Sequence, residues 1–246
     1  MTNNQWVLIL GANSDIAISC AKKFAKEGYN LYLASRNEFE CEKNASNIAL
    51  RYQIETQCIK FDAIDFQSHN LIYQNLKIKP VGVIVAFGFM ASQIDAQKDF
   101  NLSKCMIDTN YVGSLSILEV ISSEFEKRKS GFIIGISSVA GDRGRLSNYI
   151  YGSTKAAFTV YLAGLRHRLV KSNIHVLTVK PGFVLTKMTE GLDLPKLLTS
   201  SSDKVADAIY KAANKKKPII YVSPIWRYIM LIIIHLPNFI FNRTKL

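Results

Sequence analysis

Tyr151 and Lys155 stand four residues apart in "YGSTK", inside a stretch whose pattern predicts a helix over 149–172. That spacing puts both side chains on one helix face. A phenol with a pKa of about 10 is a poor base near neutrality. A neighbouring ammonium favours its phenolate, which makes the pair a candidate general acid–base. The same spacing also arises when an aromatic ring merely packs on a lysine stem. Ser138 weighs against that reading, because it closes a predicted strand thirteen residues before Tyr151, just ahead of the helix start. Asn110, in "DTNYVG", falls inside another predicted helix. A buried amide in a helix interior is disfavoured unless it serves a purpose.

The elements that must position these residues follow a regular order. Apolar runs at 6–10, 31–35, 57–61, 81–87, 131–138, 174–180 and 218–222 read as strands. They are continuous, not alternating, as in a parallel sheet buried on both faces. Amphipathic helices are predicted between them at 16–28, 38–52, 67–77, 97–128, 149–172 and 202–214. Strict alternation of strand and helix predicts an α/β fold with a doubly wound, Rossmann-type parallel sheet of about seven strands. One domain is expected over 1–223, followed by an apolar, basic segment over 224–246.

The turn after the first strand, "LILGANSDIAISCA", has the outline of a phosphate-binding loop. Gly11 ends the strand and can adopt a turn conformation closed to other residues. Ser14 and Asp15 sit where a helix N-cap belongs, before Ile16. The first-turn amides and the helix dipole there form an anion site. Ala17 is small enough to keep the helix close to the sheet. Asp15 is awkward, since a carboxylate beside a pyrophosphate is unfavourable unless it points to solvent. Alone, the loop fits either a cofactor site or an ordinary strand–helix turn.

Together these pieces resemble the short-chain dehydrogenase/reductase family. The resemblance runs through "GANSDIA", Asp62 in "FDAID", "VAFG" (85–88), Asn110, Ser138, "YGSTK" and "KPGFVLT" (180–186). Two departures stand out. The loop keeps one glycine, and the family's N-N-A-G reads V-A-F-G here, so that only Gly88 holds its place. The resemblance implies hydride transfer between a nicotinamide and a carbonyl carbon. In it Tyr151 serves as proton donor, and Lys155 steadies the phenolate and holds the nicotinamide ribose. Ser138 bonds the substrate oxygen, and Asn110 holds a water that relays protons from Lys155 to solvent.

The cofactor contacts implied are Gly11, Asn13, Ser14, Asp15 and Ile16 at the first loop, with Ala86, Phe87 and Gly88 after the fourth strand. Asp62 and Ala63 would meet the adenine, Asp62 having a strand-end cap as its other reading. Pro181, Gly182 and Val184 would pass over the nicotinamide, and Thr186 would touch its carboxamide or the pyrophosphate. The second strand ends in Ser35 and Arg36, where an acid would repel a 2′-phosphate. Arg36 therefore points to NADPH, unless it is only a solvated surface charge. Homo-oligomers are common in the family.

The formal charge is +12, and eight basic against two acidic residues from Asp203 onward carry half of it. In "SPIWRYIMLIIIHLPNFIFNRTKL" the apolar run is shorter than the ~20 residues a bilayer span needs and is broken by His235 and Pro237. Aromatic residues flanked by Arg227 and Arg243 suit a membrane interface. The other reading is a segment that covers the core or a dimer face. Nucleic acid fits poorly, because aliphatic side chains outnumber stacking aromatics. Within the family, the loop acid and the tail resemble reductases of a keto-sugar carried on a polyprenyl phosphate, which work beside a partner oxidase in envelope synthesis. Cys20, Cys41, Cys58 and Cys105 form no C-x-x-C pair, and the four histidines no H-x-x-x-H pair. Reduced thiols and no metal site are expected. "MTNNQWVLIL" lacks a basic n-region and runs straight into the Gly11 turn. A cytoplasmic location is therefore expected, with the tail at the inner face of the plasma membrane.

Overall fold

The computed structural model describes residues 4–191 and 193–244. The first three residues, and Lys245 and Leu246 of the tail, lie outside the described residues. The strands are β1 (Trp6–Leu10), β2 (Asn30–Ser35), β3 (Thr56–Lys60), β4 (Gly82–Val85), β5 (Gly131–Ile136), β6 (Ile174–Pro181), β7 (Phe183–Leu185), β8 (Thr199–Ser201) and β9 (Ile219–Val222). The helices are α1 (Asp15–Lys26), α2 (Glu38–Tyr52), α3 (Ser68–Gln74), α4 (Gln93–Lys98), α5 (Phe100–Ile107), α6 (Gly113–Arg128), α7 (Tyr149–Leu169), α8 (Ser202–Asn214), α9 (Ile225–His235) and α10 (Asn238–Phe241). Seven strands form one parallel sheet in the order β3-β2-β1-β4-β5-β6-β9, as expected from the alternation.

Strand side chains point alternately to the two faces, and helices cover both. Val7, Ile9, Leu31 and Leu33 pack with Ala17, Cys20 and Phe24 of α1, Ile48 of α2 and Ile209 of α8. Leu8, Leu10, Val83 and Val85 pack with Tyr73 of α3, Ile121 and Phe125 of α6, and Phe158 and Leu162 of α7. The strand order reverses between β1 and β4, the crevice where ligands bind in such sheets.

Three expectations need correction. The single helix over 97–128 is broken twice. Asp99 leaves the helical region (φ −118°, ψ 106°), ends α4 and caps α5 by accepting from the Asn101 amide. A π-helical turn over Asp108–Val112 then carries Asn110. Ser138 does not close β5, which stops at Ile136; instead it caps a short 3₁₀ turn at Val139–Gly141. The chain after β6 forms a small flap, with β7 paired to β8, where only the Pro181–Gly182 turn was foreseen.

The tail joins the fold through one face. Trp226, Met230 and Ile233 of α9 are buried with Val139, against Phe183 and Leu198. The Trp226 indole donates to the Leu198 carbonyl at 3.1 Å. Its ring lies so close to Gly182 that a Cβ there would meet it at 1.9 Å. The opposite face leaves Tyr228, Leu231, Ile232, Phe239 and Ile240 exposed. No helix among the described residues is long and apolar enough to cross a membrane.

Candidate active site

A cavity of about 360 Å³ opens at the carboxyl ends of β1, β4, β5 and β6. Thirteen of the residues singled out in the sequence line it: Ser14, Asp15, Ile16, Ala86, Phe87, Gly88, Ser138, Tyr151, Lys155, Pro181, Gly182, Val184 and Thr186. Gly11, Asn13, Ser35, Arg36, Asp62, Ala63 and Asn110 are not among its lining residues.

The first loop is built by its own chain. Gly11 has φ +82°, and a Cβ there would meet the Phe87 amide nitrogen at 2.6 Å. Glycine is thus required both for the turn and for the close approach of the β4 exit. The Ser14 hydroxyl donates to the Ala86 carbonyl at 3.1 Å and caps α1 by accepting from the Ala17 amide at 3.3 Å. Asn13 Nδ2 donates to the Asn37 carbonyl at 2.9 Å. Asp15 is half-buried, and its carboxylate is engaged within the chain. Its Oδ2 accepts from the Lys187 amide at 2.7 Å, which ties the flap to the start of α1.

Around Lys155 the geometry supports proton chemistry. Its side chain is 4% exposed, and Nζ donates to the Ile136 carbonyl at 3.1 Å. It lies 5.7 Å from the Tyr151 ring centroid. Ser137, just ahead of Ser138, donates to the Lys155 carbonyl at 3.0 Å and pins α7 to the end of β5. Burial pulls Lys155 down to about 8. Burial pushes the Tyr151 phenol up to about 12, with the Ser138 hydroxyl acting the other way. Charging the phenol there therefore depends on nearby positive charge.

Asn110 is buried by the π-helical turn, with its amide largely committed. Oδ1 accepts from the Phe89 amide at 2.7 Å, while Nδ2 donates to the Phe89 carbonyl at 2.9 Å and to Thr154 Oγ1 at 3.0 Å. Asn110 thus holds the β4 exit in place. Asn110 Oδ1 and Lys155 Nζ both border Gly88: a Cβ there would meet Oδ1 at 3.3 Å and Nζ at 3.5 Å. Gly113 lets α6 begin against Ala63, whose carbonyl a Cβ would meet at 2.2 Å.

At the adenosine end, Asp62 Oδ1 accepts from the Ile64 amide at 3.1 Å, the cap that was one of its two readings. Ser35 is buried. Arg36 is exposed, and its side chain makes no hydrogen bond or ion pair among the described residues. The positive-φ glycine, the capped helix start and an uncommitted cation at the end of β2 together fit a dinucleotide bearing a 2′-phosphate.

Sequence reasoning missed the segment "DRGR". Asp142 Oδ1 takes the buried Lys180 ammonium, and Oδ2 accepts from the Tyr221 hydroxyl at 2.8 Å. Arg143 binds the end of α9, donating to the Leu236 carbonyl at 2.6 Å and to Asn238 Oδ1 at 2.9 Å, with its guanidinium over the Phe241 ring. Arg145 lines the cavity. The partnerships of Asp142 and Arg143 are long-range, so no local pattern could announce them.

The model of the short chain dehydrogenase family matches residues 5–196. The chain belongs to this family. An uncharacterized oxidoreductase of Mycobacterium tuberculosis is 30% identical over 240 residues, with 96% of each chain covered. A short-chain dehydrogenase from Sphingobium yanoikuyae, solved in complex with NADPH, superposes with a TM-score of 0.81 at 22% identity, covering 92% of both chains. One from Burkholderia cenocepacia, in complex with NADP, gives 0.83 at 17% identity, covering 99% of this chain and 98% of that one. The protein is an oxidoreductase of this family.

Proposed function

We propose that the protein is an NADPH-dependent reductase of a keto group on a sugar carried by a polyprenyl phosphate. This makes it similar to decaprenylphosphoryl-2-keto-erythro-pentose reductase. The observation that carries the reading is the single cavity in which Tyr151, Lys155 and Ser138 face the Gly11–Ile16 loop. NADPH, when bound, supplies the hydride. Arg36 and Ser35 would hold its 2′-phosphate end, with Asp62 and Ala63 near the adenine. Ser138 and Tyr151 orient the carbonyl oxygen, and Tyr151 gives it a proton. Lys155 stabilises the phenolate left behind and passes it a proton, which Lys155 then regains from solvent through a water held at Asn110.

The tail supports the lipid part of the reading. With one face of α9 committed to the fold, the exposed Tyr228, Leu231, Ile232 and Phe239 stand beside Arg227 and Arg243. Such a surface suits the headgroup region of an anionic membrane. The protein then works at the cytoplasmic face of the plasma membrane in envelope polysaccharide synthesis. A partner oxidase supplies the ketone, and the working unit is a homo-oligomer. A soluble ketone would not need this exposed face.

The test is a fluorescence titration with NADPH and NADH, followed by sedimentation with phosphatidylglycerol vesicles. NADPH binds more tightly than NADH, and Arg36→Ala removes about tenfold or more of that preference, the scale of a charge-assisted hydrogen bond. Leu231→Ser with Ile232→Ser releases the protein from vesicles. Removing the whole tail is a poorer test, because Trp226 packs on Gly182 in the cavity wall. Failure to bind either nucleotide refutes the reductase reading. Unchanged vesicle binding refutes the tail's role.

A further inference from the structure

Arg145 lies six residues before Tyr151, on the loop leading into α7, and its side chain lines the same cavity. Its Nε is buried without a hydrogen-bond partner. The side chain makes no hydrogen bond or ion pair among the described residues. Asn148 Oδ1 and Gln93 Nε2 are likewise buried and unpartnered. Five side-chain atoms of this kind occur among the described residues; those of Arg145 and Asn148 belong to residues that line the cavity, and the third belongs to Gln93, the first residue of α4, which packs on the start of α7. Gln93 makes that contact through its Oε1, which accepts from the Ile150 amide at 3.1 Å. Buried polar atoms are normally satisfied, so a cluster of exceptions beside an acid–base pair marks a place that a ligand completes.

The charge balance gives the ligand's sign. The carboxylate that acts on Arg145 is that of Asp142. Asp142 is already taken by Lys180 and Tyr221, and no ion pair links it to Arg145. Arg143 is committed to carbonyl groups of the tail. Arg145 is therefore a surplus cation against a wall that includes Met90, Val139, Phe183 and Met188. A half-buried guanidinium without an anion is costly, and it recovers that cost from a planar oxyanion through its forked donors. The first loop offers its anion site at the start of α1, whereas Arg145 belongs to the segment between Ser138 and Tyr151 that leads into α7.

We propose that Arg145 is a specificity residue that binds an oxyanion, a phosphate or carboxylate, carried by the ketone substrate. The assignment rests on the reductase reading and sharpens it: one side chain, Arg145, reads the substrate's negative charge.

The test is calorimetric titration of NADP-loaded protein, where no hydride is available, with two matched pairs. Dihydroxyacetone phosphate is compared with dihydroxyacetone, and levulinate with its methyl ester. The anionic member of one pair or both binds at least tenfold more tightly, and the pair that shows the margin tells phosphate from carboxylate. Arg145→Gln abolishes the margin, Arg145→Lys narrows it, and neither changes NADPH affinity. Equal binding within both pairs overturns the proposal, as does a margin that survives Arg145→Gln. A loss of NADPH affinity in Arg145→Gln with the ketone margin intact assigns Arg145 to the cofactor and overturns it too. Repeating the titrations without NADP separates the two readings. A margin in a protein that takes up no NADP keeps the anion site and defeats the reductase reading. NADP uptake with no margin does the reverse.

Discussion

The two halves of the cavity are finished to different degrees. In the first loop, Ser14, Asn13 and Asp15 all have partners within the chain, and Gly11 leaves no slack against Phe87. Just before α7, Arg145 and Asn148 keep buried polar atoms with no partner, as does Gln93 of α4, which contacts Ile150. A site that always takes the same ligand can be held rigid by the protein's own hydrogen bonds. A site that waits for a polar substrate keeps its donors and acceptors free, and the substrate supplies the missing partners.

Breaking the halves apart is the strongest check. Tyr151→Phe removes the proton donor and leaves the first loop untouched. It should lower kcat about 10²–10⁴-fold, the usual worth of a positioned general acid, with NADPH affinity unchanged in a fluorescence titration. A joint loss of both would mean that the halves are one mechanical unit.

The boundary between the halves is Lys155, and pH reads it. The Tyr151 phenol, pushed up to about 12, stays protonated across the working range. Lys155, pulled down to about 8, loses its charge as pH rises through that value. Ketone reduction at saturating NADPH should hold level below pH ~8 and fall above it, roughly tenfold per pH unit for a single proton. A profile flat to pH ~10 would show that bound NADPH restores Lys155 to an ordinary lysine.

The smallest effect tests whether the first half is as self-sufficient as its hydrogen bonds indicate. Asp15→Ala removes the acceptor of the Lys187 amide and so frees the flap from α1. A hydrogen bond to a carboxylate contributes about 1.5–3 kcal/mol, and part of that is recovered by water at this exposed edge. NADPH affinity should fall by about threefold to tenfold, with kcat little changed. Tighter NADPH binding in Asp15→Ala would mean that the carboxylate repels the pyrophosphate after all.

Much of the scaffold was legible because burial on both faces leaves a plain record. Seven continuous apolar runs met seven strands of one parallel sheet, with ends displaced by a residue or two at most sites. The failure over 97–128 has a local cause that could have been read. Asp99 followed by "FNL" is an N-cap signal inside a longer helical pattern. The π-helical turn at Asp108–Val112 has no such signal. It is imposed where Gly113 meets the Ala63 carbonyl and Asn110 meets Phe89, contacts between distant parts of the chain.

The candidate site divides in the same way. Tyr151 and Lys155 were readable because a helix converts a spacing of four into a shared face. The sequence by itself also determined the strand order's raw material, the tight turn at Gly11 and the excess of cations. Only the tertiary structure decided what Asp15, Asp142, Arg143 and Arg145 do, since their spacing carries no period. Asp15 reaches Lys187, Asp142 reaches Lys180 and Tyr221, and Arg143 reaches the tail helix. Arg145 is singled out by lacking a partner when its neighbours have found theirs. Long-range polar pairing depends on which groups the packed sheet brings together, and a charge left over from that pairing exists only once the fold is complete.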